Sequence, residues 1–300
     1  MPSLNSWLRA GFAGLLAAAT LCVSSCGPGG RNEGPALWRV ADEDSEIWLF
    51  GTVHVLPRSM RWRNERIDAA FNAADTVVFE TDVGPEGAAR LQTLFLEQGY
   101  DRTGEPLSAR LPAEDSARFI RVARKFGVSP ALLEPMRPWY AALQLSFLAL
   151  QAEGQEADSG VEAVLSAEAD AQNKRRAYLE TAEEQVGFLA NLPADVELEF
   201  LITSLRQIEE EDQSIAALDA AWARGDTERL AALLNGLIEE AGPEVHAALI
   251  TDRNARWTRD IEAMLAGEGR IFIAVGAAHL VGRDSVVAQL RARGHTVEGP

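Results

Sequence analysis

Two of the four histidines in this chain sit in the same setting. Residues 47–57 read IWLFGTVHVLP and residues 271–282 read IFIAVGAAHLVG. In each, an apolar run of strand length ends in Gly-x-x-His, with Gly51 before His54 and Gly276 before His279. Glycine lets the backbone turn sharply and approach a neighbour closely, so each imidazole can face across a sheet edge. A third strand-like run, TVVFE (76–80), is apolar up to its last residue, so the Glu80 carboxylate emerges directly from a buried segment. Two neutral imidazoles and a carboxylate suit a divalent transition metal that keeps positions open for water, as catalytic sites do. Such an ion acidifies water at neutral pH and polarises a carbonyl, which makes hydrolysis the chemistry to expect. Each residue also has a plainer reading, as a hydrogen-bonded structural histidine or, for Glu80 beside Asp82 and Glu86, as a solvated strand exit.

Three further charged residues draw attention. On a wheel of 100° per residue Arg253 falls inside the apolar stripe of Leu249, Trp257, Ile261 and Met264, with Asn254 at its edge. A guanidinium directed inward needs an anionic or carbonyl partner. It is either an internal salt bridge, to Glu180 or Glu162, or a clamp for an oxyanion or a substrate carboxylate. Glu180 closes the strand-like KRRAYLET (174–181), and Glu162 follows Gly160 at the start of a helical run, where it complements the helix dipole. His246 and His295 are expected to be structural or exposed. No nucleophile elbow, His-Glu-x-x-His, phosphate loop or dinucleotide fingerprint is present.

The elements that must position these residues follow from periodicity. LWRV (37–40) and EIWLF (46–50) flank the polar ADEDS and form a hairpin. A helix over 63–74 then leads to the strand at 76–80, a spacing that predicts a parallel, right-handed crossover. Ligands bind beyond the carboxyl ends of such strands, which puts His54 and Glu80 on one edge. From about 106 to 240 the chain is mostly helical, interrupted by the strand at 174–181. The last unit is a long helix, a strand at 271–275, the second Gly-x-x-His, a helix turning Val286, Val287 and Leu290 inward, and a short final strand. HVLPRS after one glycine and HLVGRDS after the other suggest a duplicated half-unit. The expected fold is α/β, a mixed and largely parallel sheet built from two strand-GxxH half-units with a large helical insertion.

The N-terminus reads as an export signal. Arg9 precedes the short apolar AGFAGLLAAATLCV, too short to span a bilayer, and VSSC (23–26) resembles a bacterial lipobox in which Cys26 becomes the lipidated first residue. The alternative is an ordinary signal peptide cut near Ser25. Residues 26–35 read as a flexible tether and 36–300 as the domain. Cys22 and Cys26 are the only cysteines, so the mature domain has neither a disulfide nor a thiol ligand. Removing Arg9 from the 28 basic residues leaves 27 against 45 acidic ones, a formal charge of −18. Such a surface repels polyanions and argues against nucleic acid as a partner.

WLFGTVHVLP, VVFET, SGVEAVL, YLETAEEQ, RNARW and IFIAVGAAHLVGRDSV together resemble the TraB/GumN/Tiki family over about residues 36–299. The resemblance implies a GumN-like bacterial lipoprotein facing the periplasm, with an α/β core. It also implies a metal-dependent peptidase using divalent Mn, Co or Zn, with His54, His279 and Glu80 as ligands. Glu80, Glu162 and Arg253 would be catalytic, and Gly51, Gly276, Glu180 and Asn254 supporting. Glu162 stands where an aspartate is expected. The partners implied are a peptide or protein substrate and, through the lipid, a membrane; the oligomeric state stays open. The alternative is an exported binding protein that captures haem or another small ligand in the same cleft.

Overall fold

The computed structural model describes residues 34–210 and 214–300. The expected signal segment, Cys26 and most of the expected tether lie outside the described residues.

Among the described residues six strands, β1 (Leu37–Ala41), β2 (Ser45–Thr52), β3 (Thr76–Phe79), β4 (Arg175–Tyr178), β5 (Gly269–Gly276) and β6 (Val297–Glu298), form one sheet in the order β4-β3-β5-β2-β1-β6. β1 and β2 form the expected hairpin, closed where the Asp42 carboxylate accepts the Ser45 backbone N–H and hydroxyl at 2.9 and 2.8 Å. β5 runs parallel to β2 along its whole length, from Ser45↔Gly269 to Thr52↔Gly276. β3 lies parallel on the other side of β5, and β4 lies parallel beyond β3. β1 is antiparallel to both its neighbours, β2 on one side and β6 on the other. The central strands are continuous apolar runs because both faces of a parallel sheet are covered, and Ile47, Leu49, Phe50, Val77, Phe79, Phe272 and Ile273 are fully buried.

The expected α/β class, mixed and largely parallel, is what the sheet shows. One neighbour relation differs from the simplest sequence reading. β2 and β3 are parallel but not adjacent, because the C-terminal β5 inserts between them. The two Gly-x-x-His strands therefore lie side by side, with Gly51 opposite Val275 and Gly276 opposite Thr52. The motifs are offset by one residue, so their exits are not equivalent. The chain after Thr52 is irregular, whereas Ala277–His279 forms one 3₁₀ turn.

Helices Glu65–Ala73, Val161–Ala171, Asp252–Leu265 and Val286–Ala292 cover the sheet and share its core. Val286, Val287 and Leu290 are buried as their spacing predicts. A second core lies wholly among helices, from Leu91 to Val245, with Trp139 at its centre. The helical region contains the expected Ala113–Lys125, Pro138–Ala152, Ala194–Glu210 and Thr227–Glu240. Three helices escape the periodicity reading: Pro85–Gln98, Ala182–Ala190 and Ser214–Ala223. The last is SIAALDAAWA, apolar almost all round, which blurs a 3.6-residue stripe. The predicted long helix before β5 is also interrupted. Pro243–His246 passes into a π-helical stretch, Ala247–Thr251, before α-helix resumes at Asp252. Bulges of this kind re-aim the residues that follow and occur often at functional sites. Arg253 is the second residue after this one.

Candidate functional site

The carboxyl ends of the parallel strands deliver His54, Glu80, Glu180 and His279 to one place, and Arg253 joins them from the helix Asp252–Leu265. Glu80 and Glu180 leave adjacent strands, and the Glu180 backbone N–H donates to the Glu80 carbonyl at 2.8 Å, prolonging the β3–β4 ladder by one rung. Their carboxylates face the same cation. Arg253 Nη2 donates to Glu80 Oε2 at 2.6 Å and to Glu180 Oε2 at 2.8 Å, while Nε donates to Glu180 Oε1 at 2.9 Å. Arg253 Nη1 donates to the Leu249 carbonyl at 3.1 Å and reaches His279 Nε2 at 3.1 Å. All five guanidinium N–H groups are engaged. The guanidinium lies between the rings of Phe188 and Trp257, at 4.9 and 4.7 Å.

Of the alternatives for Arg253, the internal ion pair is present, with Glu180 as one partner and Glu80 as the other. Glu162 is not a partner, and no guanidinium N–H is left over to clamp an oxyanion.

This network fixes His279. A guanidinium can only donate, so His279 Nε2 is the acceptor and Nδ1 carries the proton, which it gives to Asn254 Oδ1 at 2.6 Å. Asn254 is oriented in turn because its Nδ2 donates to the Asp284 carbonyl at 2.8 Å. Burial and the adjacent guanidinium push the His279 imidazole down to about 3, so the ring is neutral. Burial acts to raise the Glu80 carboxyl, but Arg253 above all, with His54 and the hydrogen bond from the Gly276 N–H, holds it well below the usual carboxylate range. Glu80 Oε1 accepts the Gly276 N–H at 2.7 Å and Oε2 also accepts from Gln185 Nε2 at 3.2 Å. Gln185 bridges to Glu180 Oε2 at 3.1 Å.

His54 belongs to a separate pair. Its Nδ1 lies 2.7 Å from Glu162 Oε1, and the Thr52 hydroxyl donates to the same oxygen. The Glu162 carboxylate lies in the first turn of its helix, as expected for a residue that complements the dipole, and, buried there, it also serves as the partner of His54. Gly160 makes the docking possible. Val161 N–H donates to the Val53 carbonyl at 3.0 Å, and a Cβ on Gly160 would lie 2.1 Å from the His54 carbonyl oxygen. Burial lowers the His54 imidazole, but the Glu162 charge and hydrogen bond outweigh it and raise the ring to about 9. About 41 % of the His54 side chain remains accessible, where it forms part of a cavity wall.

The pair and the network meet over Gly276. A side chain there would begin 3.1 Å from Glu80 Oε1 and 3.6 Å from both His54 Nε2 and His279 Cδ2. Glycine keeps this gap open. It forms the polar end of a cavity of about 200 Å³ whose remaining wall is mostly apolar, from Phe95, Leu143 and Phe188 to Leu234 and Ile250. Gly51 serves close packing instead. A Cβ there would meet Ala277 Cα at 3.1 Å, and its carbonyl accepts the Trp222 indole N–H at 2.7 Å.

The chain belongs to the TraB/PrgY/gumN family. That family's profile matches residues 36–299. Among similar proteins is the "Uncharacterized protein YbaP" of Escherichia coli (strain K12), 25 % identical over 259 residues, which cover 86 % of this chain and 92 % of the relative. The YbaP of Shigella flexneri is 25 % identical over 245 residues, covering 81 % and 87 %.

For this family member the expected metal site can be set against the donors. His54 fits a ligand role, with Nδ1 on a carboxylate and Nε2 facing the gap. The other two donors do not fit as they stand. His279 presents Nε2 to a guanidinium, and Glu80 is tied to that guanidinium, to Gln185 and to the Gly276 N–H. Among the described residues no three His, Cys, Asp or Glu side chains are arranged to hold an ion.

Sequence reasoning placed Glu80, Glu180, Arg253, Asn254 and both histidines at this edge and missed Thr52, Gln185, Phe188 and Trp222. Gln185 carried one legible signal. It lies four residues after Thr181, whose capping box with Glu184 starts the helix at Ala182, so a first-turn side chain there faces the strand ends. His246 is half-buried, and His295 reaches Glu262 at 3.1 Å on the surface, away from the site.

Proposed function

We propose that this protein is an exported hydrolase, lipid-anchored through Cys26, that cleaves an ester or amide of a small, largely apolar substrate seated in the cavity. One observation carries the reading. An accessible imidazole nitrogen backed by a buried carboxylate, His54 on Glu162, faces an ionised carboxylate, Glu80, across the cleft over Gly276. This is the histidine–carboxylate logic of proton transfer in acyl chemistry. In its free-base form His54 takes the proton of an attacking water at Nε2 and returns it to the leaving group. Glu162 holds the ring by Nδ1 and stabilises its charged form. Glu80 Oε1 keeps room for one more donor beside the Gly276 N–H and orients the water. The Arg253–Glu180–His279 network keeps Glu80 ionised and fixed, and the apolar wall excludes bulk water from the reacting bond.

A metal-dependent version is favoured by the convergence of His54, His279 and Glu80 on Gly276, and it requires Arg253 to withdraw from two of the three. Haem, the expectation for a non-enzymatic protein, meets a cavity below the roughly 300–1,000 Å³ of drug-sized ligand sites.

The test is turnover of nitrophenyl esters and aminoacyl nitroanilides by purified protein, with and without chelator, beside His54→Ala and Glu162→Ala. Metal content is measured in parallel. Turnover that survives chelation and is lost in both variants supports the reading; loss on chelation with one metal per chain supports the metal version. Turnover unchanged in His54→Ala, or none on any substrate, overturns it. Lipidation is tested by labelling with a radioactive fatty acid, which Cys26→Ala should abolish.

A further inference from the structure

The apolar part of the cavity contains one polar pair that the reaction centre does not use. Gln155 and Asp219 both line the wall, among Val55, Leu150, Ile215 and Leu218. Both are more than nine-tenths buried. Gln155 Nε2 donates to Asp219 Oδ2 at 2.7 Å, and Gln155 Oε1 has no hydrogen-bond partner among the described residues. Asp219 has no cation beside it among the described residues, and Gln155 is the only neighbour that eases its ionisation, against a larger effect of burial that raises its carboxyl. A buried acceptor without a donor and a buried acid without a cation both oppose folding unless something supplies the missing donor.

Neither group can easily turn away. Asp219 lies three residues before Trp222, whose indole N–H is tied to the Gly51 carbonyl, so the helix Ser214–Ala223 is anchored to the end of β2. Gln155 precedes Glu156, which pairs with Leu56 through both backbone bonds, two residues beyond His54. The pair is built into the same wall as the reaction centre.

The complement is a group that carries several N–H donors and a positive charge. We propose that Asp219 and Gln155 form a subsite for a primary ammonium, so that the cavity takes an amine whose apolar body lies along the wall toward His54. The ammonium gives an N–H to the second Asp219 oxygen, and Gln155 Oε1, enclosed in the cavity wall, accepts another once the amide shifts toward the bound head group. The volume suits a modest ligand. It exceeds the roughly 150 Å³ that accepts benzene in an engineered apolar cavity, which leaves room for a side chain and a short tail. This assigns the substrate class of the proposed hydrolase and rests on that reading for its biological sense, while amine binding is measurable without turnover.

The experiment is calorimetric titration of the full-length protein at neutral pH with n-hexylamine, n-hexanol and N-hexylacetamide, three probes of similar body and different head. Hexylamine is expected to bind at least tenfold more tightly than the other two. The preference should vanish in Asp219→Asn, weaken in Gln155→Met and persist in His54→Ala. Leucinamide beside hexylamine distinguishes an ammonium at a peptide's start from one at the tip of a long chain. Equal affinity for hexylamine and hexanol in the wild type, as a neutral Asp219–Gln155 pair would give, overturns the proposal without needing any variant to fold. An unchanged amine preference in Asp219→Asn overturns it as well. Loss of turnover in His54→Ala with amine binding intact separates the two proposals.

Discussion

Replacing Arg253 with methionine keeps most of the side chain's length and its contact with Phe188 and Trp257, and removes the charge. The wild-type cation answers two carboxylates: the Glu180 side chain has no exposed surface and that of Glu80 only 10 %. Arg256 still reaches Glu180 at 2.6 Å, so Glu80 is the acid that loses its hydrogen-bonded counter-charge and keeps only His54 across the cleft. Lost cation–π contact accounts for about 1–2 kcal/mol. An uncompensated buried charge costs about 3–5 kcal/mol and dominates. At about 2–4 °C per kcal/mol for a domain near this size, the melting temperature should fall by roughly 6–20 °C at pH 7.5. The sign of the pH dependence is a second check. In the wild type Glu80 is held below its ordinary value, so its contribution is present above that value and lost as pH falls. In the variant, burial acts on Glu80 without the guanidinium and raises it, so the deficit is largest at high pH and narrows toward pH 5. Melting followed by circular dichroism from pH 5 to 8 reads both effects, and Arg253→Met/Glu80→Gln should recover much of the loss. A cost below about 1 kcal/mol, or a deficit independent of pH, would refute the view of Arg253 as the counter-charge of a buried network.

Glu162→Gln removes the charge that raises His54 to about 9. The rising limb of kcat/KM should then move down by one or more pH units toward the ordinary histidine range, read from pH–rate profiles. The same raised value stabilises the wild-type fold below pH 6.5, and that contribution is lost as pH climbs through about 9; thermal melts of Glu162→Gln should lack this slope. Gly276→Ala places a methyl 3.1 Å from Glu80 Oε1 at a backbone φ of −50° that any residue tolerates. The expected result is a melting temperature within a few degrees of wild type with activity down about a hundredfold or more, and a variant that keeps full activity contradicts the cleft over Gly276. Asn254→Ala leaves the His279 Nδ1–H without its acceptor in a fully buried position, at a cost of about 1–3 kcal/mol by denaturant titration, whereas Asn254→Asp should retain most of the stability.

Several features were legible because they depend on short stretches of chain. The apolar runs of β2, β3 and β5 announce buried strands, and a charge directly after such a run, as at Glu80, has little choice but to emerge at the sheet's edge. Arg253 betrayed its burial because helical periodicity put it on the stripe with Trp257 and Ile261, all of which are buried. Glu162 was legible only in part for the same reason. A carboxylate in the first turn of a helix has a local explanation, and nothing in its neighbourhood in sequence speaks of Thr52 or His54, more than a hundred residues away.

The sequence by itself determined the strands, the amphipathic helices and the set of ionisable residues delivered to one edge, since these follow from the spacing of apolar side chains along the chain. The tertiary structure alone decided that β5 separates β2 from β3, that Arg253 joins Glu80 to Glu180 while Glu162 goes to His54, and that Gln155 meets Asp219 in the cavity wall. Strand order and charge pairing are set by which arrangement buries the most apolar surface while leaving the fewest charges without partners. That is a property of the whole packed chain, and no local pattern encodes it.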